Sequence, residues 1–161
     1  MPNKLYALVF LLIAADCAAN APALALPPAK PITQWRINEF AAYCLEARIA
    51  LKGLKAEPLP GEPATSYRRR ISRYFAALDL ACHRLAPLRS APRLQDRSSL
   101  NILLWSRIRA HSIRLPVDVA AARATWHNGR PLGSPSVLGS KLLTALDTLM
   151  ALLNDLRNAR P

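Results

Sequence analysis

Proline placement governs what this chain can fold into. Apart from Pro2, its 14 prolines gather at 22–31, 58–63, 87–92, 116, 131–135 and 161. Proline lacks an amide proton and clashes with the preceding helical turn, so each cluster reads as a break. The stretches between the breaks run over 32–57, 64–86, 93–115, 117–130 and 136–160. They are rich in Ala, Leu and Arg and poor in β-branched runs, which favours helix. The expected fold class is therefore all-α, a bundle of four to five helices. No strand pair and no hairpin turn are expected.

Apolar residues in each stretch recur at steps of three and four, the helical period. Ile37, Phe40, Cys44, Ala47, Leu51 and Leu54 mark the first face. Tyr67, Ile71, Phe75, Leu78, Cys82 and Leu85 mark the second. In the third, Leu100, Leu103, Leu104, Ile108 and His111 share a side. Thr65 or Ser66, Ser98 or Ser99, Asp118 and Ser134 stand where side-chain caps belong, and Gly129 is placed to end the fourth helix. Pro135 suits a first helical position.

The last stretch is the most apolar. Leu138, Leu142, Ala145, Leu149, Leu152 and Leu156 form one stripe, and Leu143, Leu146, Met150 and Leu153 a second beside it. Two stripes call for neighbours on two sides, so this helix is expected at the centre of the bundle. The sharper alternative makes Leu142, Leu149 and Leu156 a seam for a partner helix or a second copy of the chain.

The amino terminus reads as an address. Lys4 precedes the unbroken apolar run of residues 5–15, which Asp16 closes. A basic head, a short apolar core and a small-residue tail are the parts of a secretory signal peptide. Ala23-Leu24-Ala25 fits the small-x-small cleavage rule, so residues 1–25 are expected to be removed. Residues 26–32 then form a proline-rich lead and 33–161 a single helical domain. Lipidation at Cys17 is disfavoured, because Asp16 precedes it and Ala14 stands where leucine is wanted. The chain is expected to be exported, to the periplasm or the medium.

Export makes the two remaining cysteines, Cys44 and Cys82, candidates for a disulfide. The bridge would close a loop of about 38 residues, worth roughly 3–4 kcal/mol on the chain-entropy view. The helical register leaves an offset of roughly 9 Å for a loop or crossing angle to absorb.

Motifs for chemistry are scarce. No His-x-x-x-His, Cys-x-x-Cys or HExxH occurs, and His83, His111 and His127 lie on separate stretches. The glycines and serine before Lys141 miss the phosphate-loop spacing and follow no strand. No catalytic residue, metal ligand or cofactor is assigned; the question of an enzyme stays open, with binding expected ahead of catalysis.

Charge is the unusual feature. Lys+Arg number 22 against 10 Asp+Glu, a net +12 with pI ≈ 10.6. Arg68, Arg69, Arg70 and Arg73 crowd the start of the second helix, flanked by Tyr67 and Tyr74. Arg89 and Arg93 lie in the following link. Cations in a first helical turn oppose the macrodipole, and a local conflict of that kind sometimes marks a functional surface. The guanidinium fork suits phosphate and carboxylate.

With 52% hydrophobic residues the 161-residue chain has enough apolar content for a core, which disfavours a disordered chain. Two functional expectations follow. One is a small exported helical protein that binds an envelope or extracellular protein without catalysis. The other is a basic binder of anionic polymers or membrane surfaces, such as lipopolysaccharide or phospholipid headgroups, through the six arginines just named. Nucleic acid is the least favoured of the anions after export.

Overall fold

The structure is a computed structural model that describes residues 31–161. The expected signal peptide (1–25), Cys17 and most of the proline-rich lead lie outside the described residues. Four helices carry the fold: α1 (Gln34–Ala50), α2 (Ala64–Arg84), α3 (Ser99–Arg123) and α4 (Pro135–Asn158). A single 3-10 turn, Ala86–Arg89, follows α2, and two short strands, β1 (Trp126–His127) and β2 (Arg130–Pro131), precede α4. The all-α expectation holds, at four helices among the described residues.

Each helix packs on the next in sequence, and α4 also packs on α1, so the four close into a ring. Cross-helix contacts fix the directions. Arg84 at the end of α2 meets Tyr43 and Glu46 of α1, while Arg70, nearer its start, reaches the Lys55 carbonyl just past α1. Arg89, just past α2, reaches Ser112 of α3, while Arg123 at the end of α3 meets Asp79 of α2. Thr148 of α4 bonds Asp118 of α3, while Asp155 meets Arg107. Sequential neighbours therefore run antiparallel, as short connections require.

α4 lies between α1 and α3. Leu138, Leu142, Ala145, Leu149 and Leu152 are all 0% exposed and Leu156 is 1% exposed. The first stripe read from the sequence is thus the spine of the core. Leu153 is buried too, Leu146 and Met150 are half-buried, and Leu143 faces out. By length and hydropathy α4 could cross a bilayer. In the bundle its apolar stripe is covered by α1 and α3 instead.

Three expectations need correction. The stretches 93–115 and 117–130 do not form two helices, because α3 runs through Pro116. Asp118 is therefore an interior residue and not a cap. Ile108, Leu115, Val119 and Ala122 pack inward on both sides of the proline, and that burial offsets the roughly 3 kcal/mol a mid-helix proline costs. The lost bond leaves the Ser112 carbonyl without its helical donor, and Arg89 supplies one (Nε to O, 3.4 Å).

The second correction is the hairpin. Asn128 and Gly129 both take positive φ, 50° and 76°, the geometry of a two-residue turn that suits strand twist. Trp126 pairs with Pro131 and His127 with Arg130. Trp126 sets its ring edge-on against Tyr67, 5.6 Å between centroids. The third is a helix end: α1 stops at Ala50, not 57, in a turn where Gly53 adopts φ +69°. At the starts, Ser98 and Ser134 cap α3 and α4 as expected, whereas α2 begins after Pro63 with no side-chain cap.

Candidate functional site

The arginine cluster opens α2, and the fold divides it. Arg68, Arg69 and Arg73 are exposed, and none pairs with a carboxylate among the described residues. Arg70 turns inward. Its guanidinium grips Glu62 with two bonds, Nε to Oε1 at 3.0 Å and Nη2 to Oε2 at 2.6 Å. It also donates to the carbonyls of Lys55 and of Glu57, the latter at 2.9 Å. Its plane lies over the Tyr67 ring, 5.5 Å from the centroid. Tyr67 adds a bond from its hydroxyl to the Ala56 carbonyl at 2.8 Å. Arg70 is therefore the clasp of the 51–63 loop, and it leaves the set of candidate anion ligands.

The clasp has a pH signature. The Arg70 bonds, helped by the Leu59 amide, hold the Glu62 carboxyl down at about 2 from an ordinary 4.5. A depressed carboxyl contributes stability that is fully present above the unfolded value and is lost as pH falls through the folded one. The Glu62 contribution should therefore fade between about pH 4.5 and 2. Thermal midpoints of the wild type should fall more steeply over that window than those of Glu62→Gln, and the two curves should converge at its acid end. Parallel curves would mean that the clasp does not form in solution.

The second cluster divides in the same way. Arg89 donates to the Cys82 carbonyl at 3.1 Å as well as to Ser112, bridging α2 and α3 behind the 3-10 turn. It is a structural strut. Arg93 is exposed, and only its backbone is engaged, its carbonyl accepting the Ile32 amide at 3.3 Å.

The expected disulfide is not formed. Cys44 and Cys82 are free thiols. Across the α1–α2 seam it is Tyr43 and Glu46 that meet Arg84, the ring and guanidinium lying 4.8 Å apart. Cys44 follows Tyr43 and so sits about 100° round α1 from that seam. It points into the core, whereas Cys82 lies on the side where Arg89 reaches across to α3. Burial pushes the Cys44 thiol up to about 12 and the Cys82 thiol up to about 11, so both are poor nucleophiles at neutral pH.

One polar cluster was not anticipated from the sequence. Asp155 of α4, 1% exposed, pairs with Arg107 at 2.8 Å, and His111 Nε2 lies 3.5 Å from its other oxygen, which accepts no hydrogen bond. The available signal is phase. Asp155 falls on the apolar stripe with Leu152 and Leu156, where a charge must find a partner. A carboxylate beside an imidazole can serve a nucleophile, but the buried hydroxyls of α3 and α4 are engaged elsewhere. Ser112 donates to the Arg109 carbonyl at 2.8 Å and Thr148 to Asp118 at 2.7 Å. The cluster ties α3 to α4. No group of three or more metal-ligating side chains occurs among the described residues.

Leu142, Leu149 and Leu156 belong to the core, so they form no outward seam. Outward apolar residues occur on all four helices and in the loops, with the largest exposures on α1 and α3. On α1, Trp35 (68% exposed), Leu45 (37%) and Ile49 (64%) follow one another along the helix side away from the core. Two open grooves of about 560 Å³ lie at opposite ends of the bundle. One is floored by Trp105 and Phe40, and the other lies between the 54–60 loop and the start of α4. Comparison of the chain with protein-family models, curated proteins and solved structures gives no match.

Proposed function

We propose that the protein is a non-catalytic binding protein of the cell envelope or extracellular space, and that it engages a protein partner through the outward side of α1. The observation that supports this is the Trp35, Leu45 and Ile49 stripe. Trp35, Ala42 and Ile49 repeat at seven, with Leu45 between the last two and polar Asn38 at the matching place before it, and Ala42 is small enough to let a second helix approach. Large exposed aromatic and aliphatic side chains on one helix side are the usual anchors of such contacts. The occupant is an amphipathic helix of the partner.

The test is capture of partners from the producing cell's envelope and medium, at low and high salt, with the wild type and with a Trp35→Ser/Ile49→Ser variant. A defined protein retained by the wild type at high salt and lost by the variant is expected. Material that is retained equally by both would overturn the assignment to α1.

A second reading is favoured by one specific observation, the exposed and unpaired state of Arg68, Arg69 and Arg73. These groups are free to meet phosphate or carboxylate on an anionic polymer or membrane surface.

A further inference from the structure

The elements at one end of the bundle converge on a surface that is both cationic and apolar. The 51–63 loop is clasped to the start of α2 by Arg70. The hairpin turn lies directly on Arg68, whose side-chain stem packs under Gly129. Ala56 touches Gly139 in the first turns of α4. Lys55, Arg68, Arg69, Arg130 and Lys141 are carried by the elements that converge at this end, and all are exposed. Opposing charge is nearly absent. Residues 124–146 contain no Asp or Glu, and residues 48–78 contain only Glu57 and Glu62, the second held by Arg70.

The same elements carry exposed apolar side chains. Leu59 is 40% exposed, Leu132 56%, Val137 44% and Leu143 48%. Their exposure has a local cause. The Leu132 amide is bonded back to the Thr125 carbonyl at 2.8 Å, and Gly133, at φ +84°, turns the chain into the Ser134 cap, which leaves Leu132 and Val137 at the tip. Leu59, Lys55 and Leu143 line the groove beside them.

Taking the anion-binding reading as its premise, we propose that this cap is a docking surface for an anionic lipid bilayer. A soluble polyanion needs only the cations. A bilayer uses both sets, since the basic groups meet headgroup phosphates while short apolar side chains enter the boundary between headgroup and acyl chain. The Leu132 tip and the first turn of α4 insert, and Arg68, Arg69 and Arg130 sit at phosphate level. The α1 stripe, on the flank of the bundle, stays clear of the membrane.

The test is co-sedimentation of the purified protein with vesicles of phosphatidylcholine alone and of equimolar phosphatidylcholine and phosphatidylglycerol, beside binding of inorganic polyphosphate. Two variants accompany the wild type, Arg68→Gln/Arg69→Gln/Arg130→Gln and Leu132→Ser/Val137→Ser, each checked for helicity. The wild type should bind the anionic vesicles only, and less as salt rises. The arginine variant should lose on the order of a hundredfold in vesicle affinity and should weaken on polyphosphate too. The apolar variant should lose on the order of tenfold on vesicles and nothing on polyphosphate. Polyphosphate binding without vesicle binding, or an apolar variant that binds vesicles as the wild type does, would overturn the bilayer inference and leave the anion reading standing. Binding to neither ligand would overturn both.

Discussion

Leu149→Ala should lower the free energy of unfolding by about 2–5 kcal/mol, the range for emptying a rigid core site. Leu149 is 0% exposed at the middle of α4, where α1 and α3 both bear on that helix. Neighbours held from two sides cannot collapse into the space, which argues for the upper half of the range. Denaturant unfolding followed by circular dichroism measures the change. The same substitution at Leu143, 48% exposed on the same helix, should cost less than about 1 kcal/mol. If Leu149→Ala left stability unchanged and instead split an oligomer, the helix would be an interface and its central place in the bundle would be wrong.

Trp105→Ala should cost about 3–5 kcal/mol, the range for large aromatic truncations. Trp105 is 3% exposed and does two things at once. Its ring belongs to the core and lines, with Phe40 and Leu88, the groove at one end of the bundle. Its Nε1 donates to the Arg160 carbonyl at 2.9 Å, which Asn101 Nδ2 also reaches at 3.3 Å. Asn101 Oδ1 accepts the Arg160 amide at 3.1 Å, and the Asp96 amide donates to the Pro161 carbonyl at 2.9 Å. The C-terminal residues are thus fastened to the start of α3. Trp105→Phe keeps most of the ring and drops the bond, so it should cost only about 1 kcal/mol. Equal losses in the two variants would place the whole effect in the hydrogen bond and overturn the packing account.

The arrangement of α4 is legible in the sequence because a single physical demand wrote it. Six apolar residues at helical spacing have to be buried, and a second stripe beside them requires a second neighbour. The helix starts at Ser98 and Ser134 are legible for the same reason, since a hydroxyl before a helical run has one obvious use. Pro116 suggests a break because the penalty of proline is local and visible. The compensation is neither. It comes from Arg89, 27 positions earlier in the chain, and from side chains buried on both sides of the proline. The hairpin escapes a search for alternation because its strands are two residues long, although Asn128-Gly129 carries the turn chemistry.

The candidate site is legible as a composition and not as a surface. Arg68, Arg69 and Arg70 are indistinguishable in a row of arginines. What separates them is the angle each takes on α2 and the return of the 51–63 loop, which brings Glu62 and two carbonyls to Arg70 alone. The cysteines mislead in a related way. Both lie on apolar stripes, but a disulfide needs the two side chains to point at each other, and helical phase turns them to different neighbours. Asp155 hides among leucines, since a stripe searched for apolar residues conceals the one charge that shares its phase.

The place of α4 also ties folding to synthesis. The last of the four helices to be made is the one that lies against both α1 and α3, so the earlier helices cannot seal their common interior by themselves. Until residues 135–158 arrive, Ile37, Cys44, Ile108 and Leu115 line an open trough, all of them 0–1% exposed once the bundle is closed. Exposed apolar surface of that kind makes an incomplete chain prone to associate. A chain cut short before residue 135 should therefore leave these side chains uncovered and fail to close the bundle.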